Sequence, residues 1–210
     1  MTYQLYYAPG TCSMAVHVLL NEVGQKVELI HEDVHASQRN LEFMKLNPRG
    51  SVPVLIVDGN VLREGAAILT YIAETHQSPL LPAKGWERAK AQEWLAFANS
   101  TLHPAYARLF FLKGKLGEKA ATDPMYVAAT QSAQKYWDEV ESVLATQDHI
   151  AGKEITVADI LLTVIANWGG YLLQPIMLGA KTKAYLKRVS SRPAYQAALT
   201  AEKVEYKAAA

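Results

Sequence analysis

The chain has 210 residues, half of them hydrophobic and a fifth charged, with a net charge of +1 and a single cysteine. That length suits one or two domains with a real core, and the near-neutral balance gives no broad electrostatic field for nucleic acid or acidic lipid. One thiol excludes an intramolecular disulfide and fits a reducing cytoplasm. The opening MTYQLYYAPG has no basic segment ahead of an apolar one, so no secretory leader is expected. The most apolar late stretch, residues 155–178, is broken by Asp159, Asn167, Gln174 and Pro175 and reads as a buried helix rather than a membrane span.

Residues 2–7 alternate Tyr3, Leu5 and Tyr7 against Gln4 and Tyr6, the pattern of a strand. Pro9-Gly10 breaks it. Val16, Leu19, Leu20 and Val23 then recur at helical spacing on one face, and Gly24 stops the helix. Residues 26–34, KVELIHEDV, read as a second strand, which makes a βαβ unit with parallel strands and a right-handed crossover. Residues 35–50 are a polar loop with a short helix. Val54–Val57 and Val61–Leu62 are short apolar runs joined by Asp58-Gly59-Asn60, a strong hairpin signal. Residues 65–76 are helical, with Ile68, Leu69 and Ile72 on one face.

Residues 77–85, QSPLLPAKG, carry two prolines, a glycine and no periodicity. They mark a linker that divides the chain into 1–77, a connection over 78–86, and 87–210. No convincing strand follows. Residues 86–111 are helical up to a kink near Pro104. Residues 123–147 are helical, with Ala133, Trp137, Val140 and Leu144 as an apolar stripe. Thr156 caps the next helix, Asp159 bonds back to it, and Ile155 and Ile160 form the staple. Residues 182–203 supply one or two more helices. The expected fold is an α/β N-terminal domain followed by an all-helical C-terminal domain.

Cys12 stands at the start of the first helix. Unpartnered N–H groups there favour thiolate and lower the thiol pKa from its free value of about 8.5. The competing reading is a small buried hydrophobe. In a βαβ–ββα unit the loop after the first strand is where thioredoxin-like proteins keep redox cysteines. With Ser13 next and no second cysteine, a dithiol cycle needs an outside thiol, and glutathione is the abundant candidate. HEDVH, residues 31–35, matches a zinc-protease motif in letters alone. On a strand His31 and His35 stand roughly 13 Å apart, so no metal is expected. No phosphate-binding glycine loop is present, so no nucleotide cofactor is expected either.

Five fragments carry a resemblance over essentially the whole chain: YAPGTCSMAVHVLLNEVG, NPRGSVPVLIVDG, LREGAAILTYIAE, EWLAFANSTLH and ITVADILLTVIANW. In that order they resemble a cytosolic glutathione transferase, most nearly the bacterial beta class. The resemblance implies a thioredoxin-like N-terminal domain, an all-α C-terminal domain and a homodimer. It implies an enzyme that adds the glutathione thiolate to a small hydrophobic electrophile, with glutathione as co-substrate, in the cytoplasm and in detoxification. Alternatives are a glutathione-dependent thiol reductase working through a Cys12 mixed disulfide, and a catalytically weak glutathione-binding module. The dimer is also suggested by apolar residues in EWLAFA and YARLFF.

The resemblance also assigns residues. Val52-Pro53 matches the family's Val-Pro, whose proline is cis and whose valine main chain pairs with glutathione as an added strand. An ordinary rigid turn is the alternative. Glu64-Gly65 opens a helix whose N–H groups suit the γ-glutamyl carboxylate while Glu64 faces the amine; simple dipole compensation is the alternative. Arg39 is the first choice for the glycyl carboxylate and Arg49 the second. His103 matches a histidine that approaches the sulfur, or it satisfies neighbours at the Pro104 kink. Ser13 or Thr11 offers a hydroxyl to the same sulfur or caps the helix. Tyr106, Phe110 and Trp168 line an electrophile pocket or belong to the core. Two departures stand out: Pro104 replaces a common lysine, and Ala96 replaces an asparagine that reaches the partner subunit's glutathione. Asn99, one turn further on, can substitute, with Ser100 beside it.

Overall fold

The computed structural model describes residues 1–209 except 35, 37 and 39. Strand β1 (Tyr3–Tyr7) buries Tyr3 and Leu5 on one face and is followed by helix α1 (Ser13–Glu22). Strand β2 (Glu28–His31) returns parallel to β1, with Leu5 opposite Leu29. After a short helix α2 (Leu41–Leu46), strands β3 (Val54–Val57) and β4 (Asn60–Arg63) form an antiparallel hairpin, and β3 pairs antiparallel with β1. The sheet order is β2-β1-β3-β4. The hairpin closes through Asp58 (φ 48°) and Gly59 (φ 85°). Two consecutive positive φ values are what a tight primed turn requires, and glycine supplies the second without strain.

Helix α3 (Gly65–Thr75) and α1 pack together on one side of the sheet. On the other side Tyr6 stacks on Phe43 of α2 at 5.3 Å. Helix α4 begins at Gly85, two residues inside the segment read as linker. It ends at Phe97 and passes through a π-helical turn, Ala98–Leu102, into α5 (His103–Leu116). The irregularity expected near Pro104 is therefore a widened turn just before it. Helix α6 (Pro124–Leu144) buries Ala133, Trp137, Val140 and Leu144, as its stripe predicts. Helices α7 (Val157–Asn167), α8 (Ala180–Ser190) and α9 (Pro193–Glu202) complete the helical half. No helix among the described residues is long and apolar enough to cross a membrane.

Helix α1 is buried from Ser13 through Leu20, not on one face only. It lies between α3 on its own side and α7 and α9 of the helical half. At its C-terminal end Arg192 grips the Glu22 carboxylate through two contacts of 2.6 and 2.8 Å. The apolar residues of EWLAFA and YARLFF are largely spent inside the chain. Trp94, Leu95, Tyr106 and Leu109 are buried, and Phe97 packs edge-on against Trp94 and Tyr136. Only Phe111 of these is an exposed large hydrophobic residue, so the surplus that suggested an interface there is not present.

Asp159 holds the helical half together. Its fully buried carboxylate accepts from the Thr156 N–H (2.7 Å), the Thr156 hydroxyl (2.8 Å), the Ile150 N–H (2.8 Å) and the Tyr185 hydroxyl (2.9 Å). This joins the start of α7 to the preceding loop and to α8. Asp159→Ala orphans all four donors, and each buried unsatisfied donor costs about 1–3 kcal/mol. Urea unfolding should show a loss of at least about 3 kcal/mol. A loss within 1 kcal/mol, as is usual for surface changes, would show that the bonds contribute little.

Candidate functional site

The β1–α1 loop is fixed by its neighbours in sequence and in space. The Ser13 hydroxyl, fully buried, lies 2.8 Å from the Thr11 hydroxyl and bonds both the N–H and the C=O of Ala8. The Thr11 hydroxyl donates to the Ala8 C=O at 2.9 Å. Both hydroxyls are thus committed to the end of β1. Ser13 lines neither cleft described below, and the expectation that it serves the sulfur gives way to a role in shaping the loop.

Gly10 is gripped from the helical half. Its N–H donates to Glu202 Oε2 at 2.9 Å, and its C=O accepts from the Trp168 indole at 2.7 Å. The other oxygen of Glu202 lies 3.0 Å from His17 Nδ1, a pair almost completely buried. Gly10 has φ +69°, a conformation that glycine adopts without strain, and a Cβ there would stand in contact with Val204 at 3.4 Å.

Cys12 caps α1 and lies partly buried where two clefts meet. The larger, about 590 Å³, is lined by Val52, Pro53, Glu64, Gly65, Asn99 and Pro104, among others. The smaller, about 450 Å³, is lined by Pro9, Phe110, Trp168, Tyr171 and Val204, among others. Thr11, Cys12, Val34, His103 and Ala107 belong to both. Each volume falls in the range of small-molecule sites, about 300–1,000 Å³.

The larger cleft is polar at one end. The Val52-Pro53 bond is cis. The Val52 C=O accepts from the Cys12 thiol at 3.5 Å, and its N–H has no partner among the described residues. Glu64 stands before α3 with φ +70°, an uncommon conformation for a residue with a side chain, and its carboxylate meets Arg49 at 2.9 Å. Such backbone strain concentrates at binding sites. Arg49 therefore sits at the Glu64 end; Arg39 lies outside the described residues. Asn99 faces this cleft, but Ser100, the next residue of the turn, is exposed and does not.

The smaller cleft is apolar. Trp168 meets His103 edge-on at 4.8 Å and Phe110 at 6.4 Å. Tyr106 is not part of it: the ring is buried, and its hydroxyl accepts from the Trp137 indole at 3.0 Å. Burial pushes the Tyr106 phenol well above the usual tyrosine range, so it stays protonated. Tyr171 and Val204 were not legible as site residues, because Val204 arrives from the far end of the chain.

The electrostatics of Cys12 reverse the expectation. Burial pushes its thiol up to about 12; the N–H groups of Cys12 and Ser13 pull the other way without offsetting it, and the Glu64 charge adds the smallest upward push. Burial also lowers the His103 pKa, so its imidazole is neutral at pH 7. Among the described residues no group of histidines, cysteines and carboxylates could hold a metal ion. His31 ends β2, and His35 lies outside the described residues.

Comparison with known proteins gives the family. The glutathione S-transferase N-terminal domain model matches residues 1–74, and the C-terminal domain model matches residues 101–193. The chain belongs to the glutathione S-transferase family. A glutathione S-transferase of Xanthomonas campestris is 33% identical over 95% of this chain and 98% of its own length. A bacterial beta class glutathione S-transferase of Sphingomonas chungbukensis superposes with a TM-score of 0.82 at 30% identity, covering 96% of this chain and all of that one. A sphingomonad glutathione S-transferase solved with glutathione superposes with a TM-score of 0.78 at 31% identity and the same coverage. The fold of this glutathione S-transferase is thus the one its sequence implies, with a thioredoxin-like first half.

With the Cys12 thiol held up by burial, the protein free of ligands should react with iodoacetamide more slowly at pH 7–8 than free cysteine, whose pKa is about 8.5. The rate should keep rising above that pH. A rate at neutral pH equal to or above that of free cysteine would contradict the desolvated site.

Proposed function

We propose that this transferase holds glutathione in the larger cleft and an uncharged hydrophobic electrophile in the smaller one. The observation that carries the reading is the junction: Cys12 and His103 stand where a cleft with charged groups opens into an apolar one. Glu64 faces the ligand's amine, the first N–H groups of α3 at Gly65 face its γ-glutamyl carboxylate, and the Val52 main chain pairs with its cysteinyl unit. Arg39 is retained as the cation for the glycyl carboxylate.

The glutathione thiol gives its proton to solvent, and the resulting thiolate accepts hydrogen bonds from the Cys12 thiol and a His103 N–H. It attacks the electrophilic carbon, a C–S bond forms, and a leaving group such as halide departs with its bonding pair. A protonated Cys12 suits the donor role and argues against Cys12 as the nucleophile of a thiol reductase. Phe110 and Trp168 supply the wall against which the electrophile stacks. Homodimer formation, cytoplasmic location and a detoxifying role are part of the proposal and rest on family membership alone.

Immobilised glutathione should retain the protein, and Glu64→Ala should weaken binding more than tenfold, since a lost charge-assisted bond costs about 1.5–3 kcal/mol. Unchanged affinity would remove Glu64 from the site. Cys12→Ala should keep conjugation of a neutral aryl halide within a few-fold of wild type, about 1 kcal/mol. Abolished conjugation with intact folding would make Cys12 the nucleophile instead.

A further inference from the structure

The π-turn between α4 and α5 has a local cause. Proline has no N–H to donate, and its ring clashes with the carbonyl four residues earlier. For Pro104 that carbonyl belongs to Ser100. An α-helix running unbroken from α4 into α5 is therefore denied both the bond and the space. The chain widens instead, and the His103 N–H donates to the C=O of Ala98, five residues back. Widened turns of this kind recur at functional sites.

The turn sorts its residues. Ala98 and Leu102 are buried, Ala96 and Ser100 are exposed, and Asn99 and His103 face the larger cleft. Asn99 meets α3 of its own chain. Its Oδ1 lies 3.8 Å from the position a Cβ on Gly65 would occupy, and Pro53 borders the same space. The amide has no hydrogen-bond partner among the described residues. It thus stands unengaged beside the helix start where the γ-glutamyl carboxylate is placed.

We propose that Asn99 donates its side-chain amide to the γ-glutamyl carboxylate bound in its own chain's cleft, aimed there by the π-turn that Pro104 imposes. The inference rests on the glutathione reading given above. Asn99 is then a binding residue, and Pro104 a positioning residue that acts through it. An exposed Ala96 and a proline after His103 become two parts of one arrangement, which makes the cleft independent of a side chain from another subunit.

The test is steady-state kinetics with glutathione and a neutral aryl halide. Asn99→Ala should raise KM for glutathione roughly tenfold, with kcat and melting temperature close to wild type. Asn99→Asp should raise it further, because a carboxylate then faces a carboxylate. Pro104→Ala should raise KM in the wild-type background and add nothing on top of Asn99→Ala. Equal effects in both backgrounds would overturn the role of Pro104. An unchanged KM in Asn99→Ala, with Glu64→Ala still defective, would overturn the role of Asn99 alone. If neither variant alters glutathione binding, the site reading itself falls.

The own-chain claim has a separate readout. A tagged hybrid of Glu64→Ala and Asn99→Ala chains should carry one lesion in each cleft and behave as the average of the two parent proteins. A half-share of wild-type activity in the hybrid would show that Asn99 crosses to the partner. If no hybrid forms because the protein is monomeric, the Asn99→Ala effect can only arise within one chain and supports the proposal.

Discussion

The Gly10 peptide is held on both sides by the helical half, and the site depends on that grip. Its N–H is bound to Glu202 and its C=O to Trp168. Two residues later comes Cys12. The loop that carries the thiol is thus anchored both by its own domain, through Ala8 and Val52, and by α9 and the end of α7. Glu202 is itself tied to His17 on α1, so α1 and α9 are locked at the level of the loop. Trp168 has a second task, since its ring packs on His103 and walls the apolar cleft. One indole therefore fixes the position of the loop, the histidine and the cleft together.

Burial sets the state of the thiol. A helix start favours an anion by a modest amount, up to about 2 kcal/mol in favourable geometries. Removing a thiolate from water costs more when no cation stands beside it. The charge that acts on Cys12 is the Glu64 carboxylate, which has the wrong sign. Desolvation wins, and the thiol stays protonated. A neutral thiol beside a neutral imidazole is a pair of donors awaiting an anion. An incoming ligand that brings its own sulfur supplies one.

Much of the fold was legible because its signals are local. The Asp58-Gly59 turn, the Thr156–Asp159 cap and the α6 stripe each need only residues within a few positions of each other. The all-round burial of α1 was less so, although MAVHVLL carries His17 as its one polar residue, because its second set of neighbours comes from α7 and α9. Pro104 announced an irregularity but not that the turn would widen before it. In the site, Val52, Pro53, Glu64, Gly65, Asn99, Phe110, Trp168, His103 and Cys12 all fall on the clefts. Of the two readings open for Tyr106 the core one holds, and Ser13 shapes the loop rather than serving the sulfur, for one reason: a hydroxyl near a reactive residue in sequence is often already bound, as these are to Trp137 and Ala8. For Cys12 the helix start is visible in sequence, while the burial that outweighs it is not.

The account turns on which sulfur becomes the anion. The ultraviolet absorbance of thiolate measures this directly, in the wild type and in Cys12→Ala, before and after glutathione is added at neutral pH. The account predicts no thiolate signal in either protein alone and a signal of similar size in both once glutathione is bound. A signal in the wild type without glutathione, absent from Cys12→Ala, would contradict it.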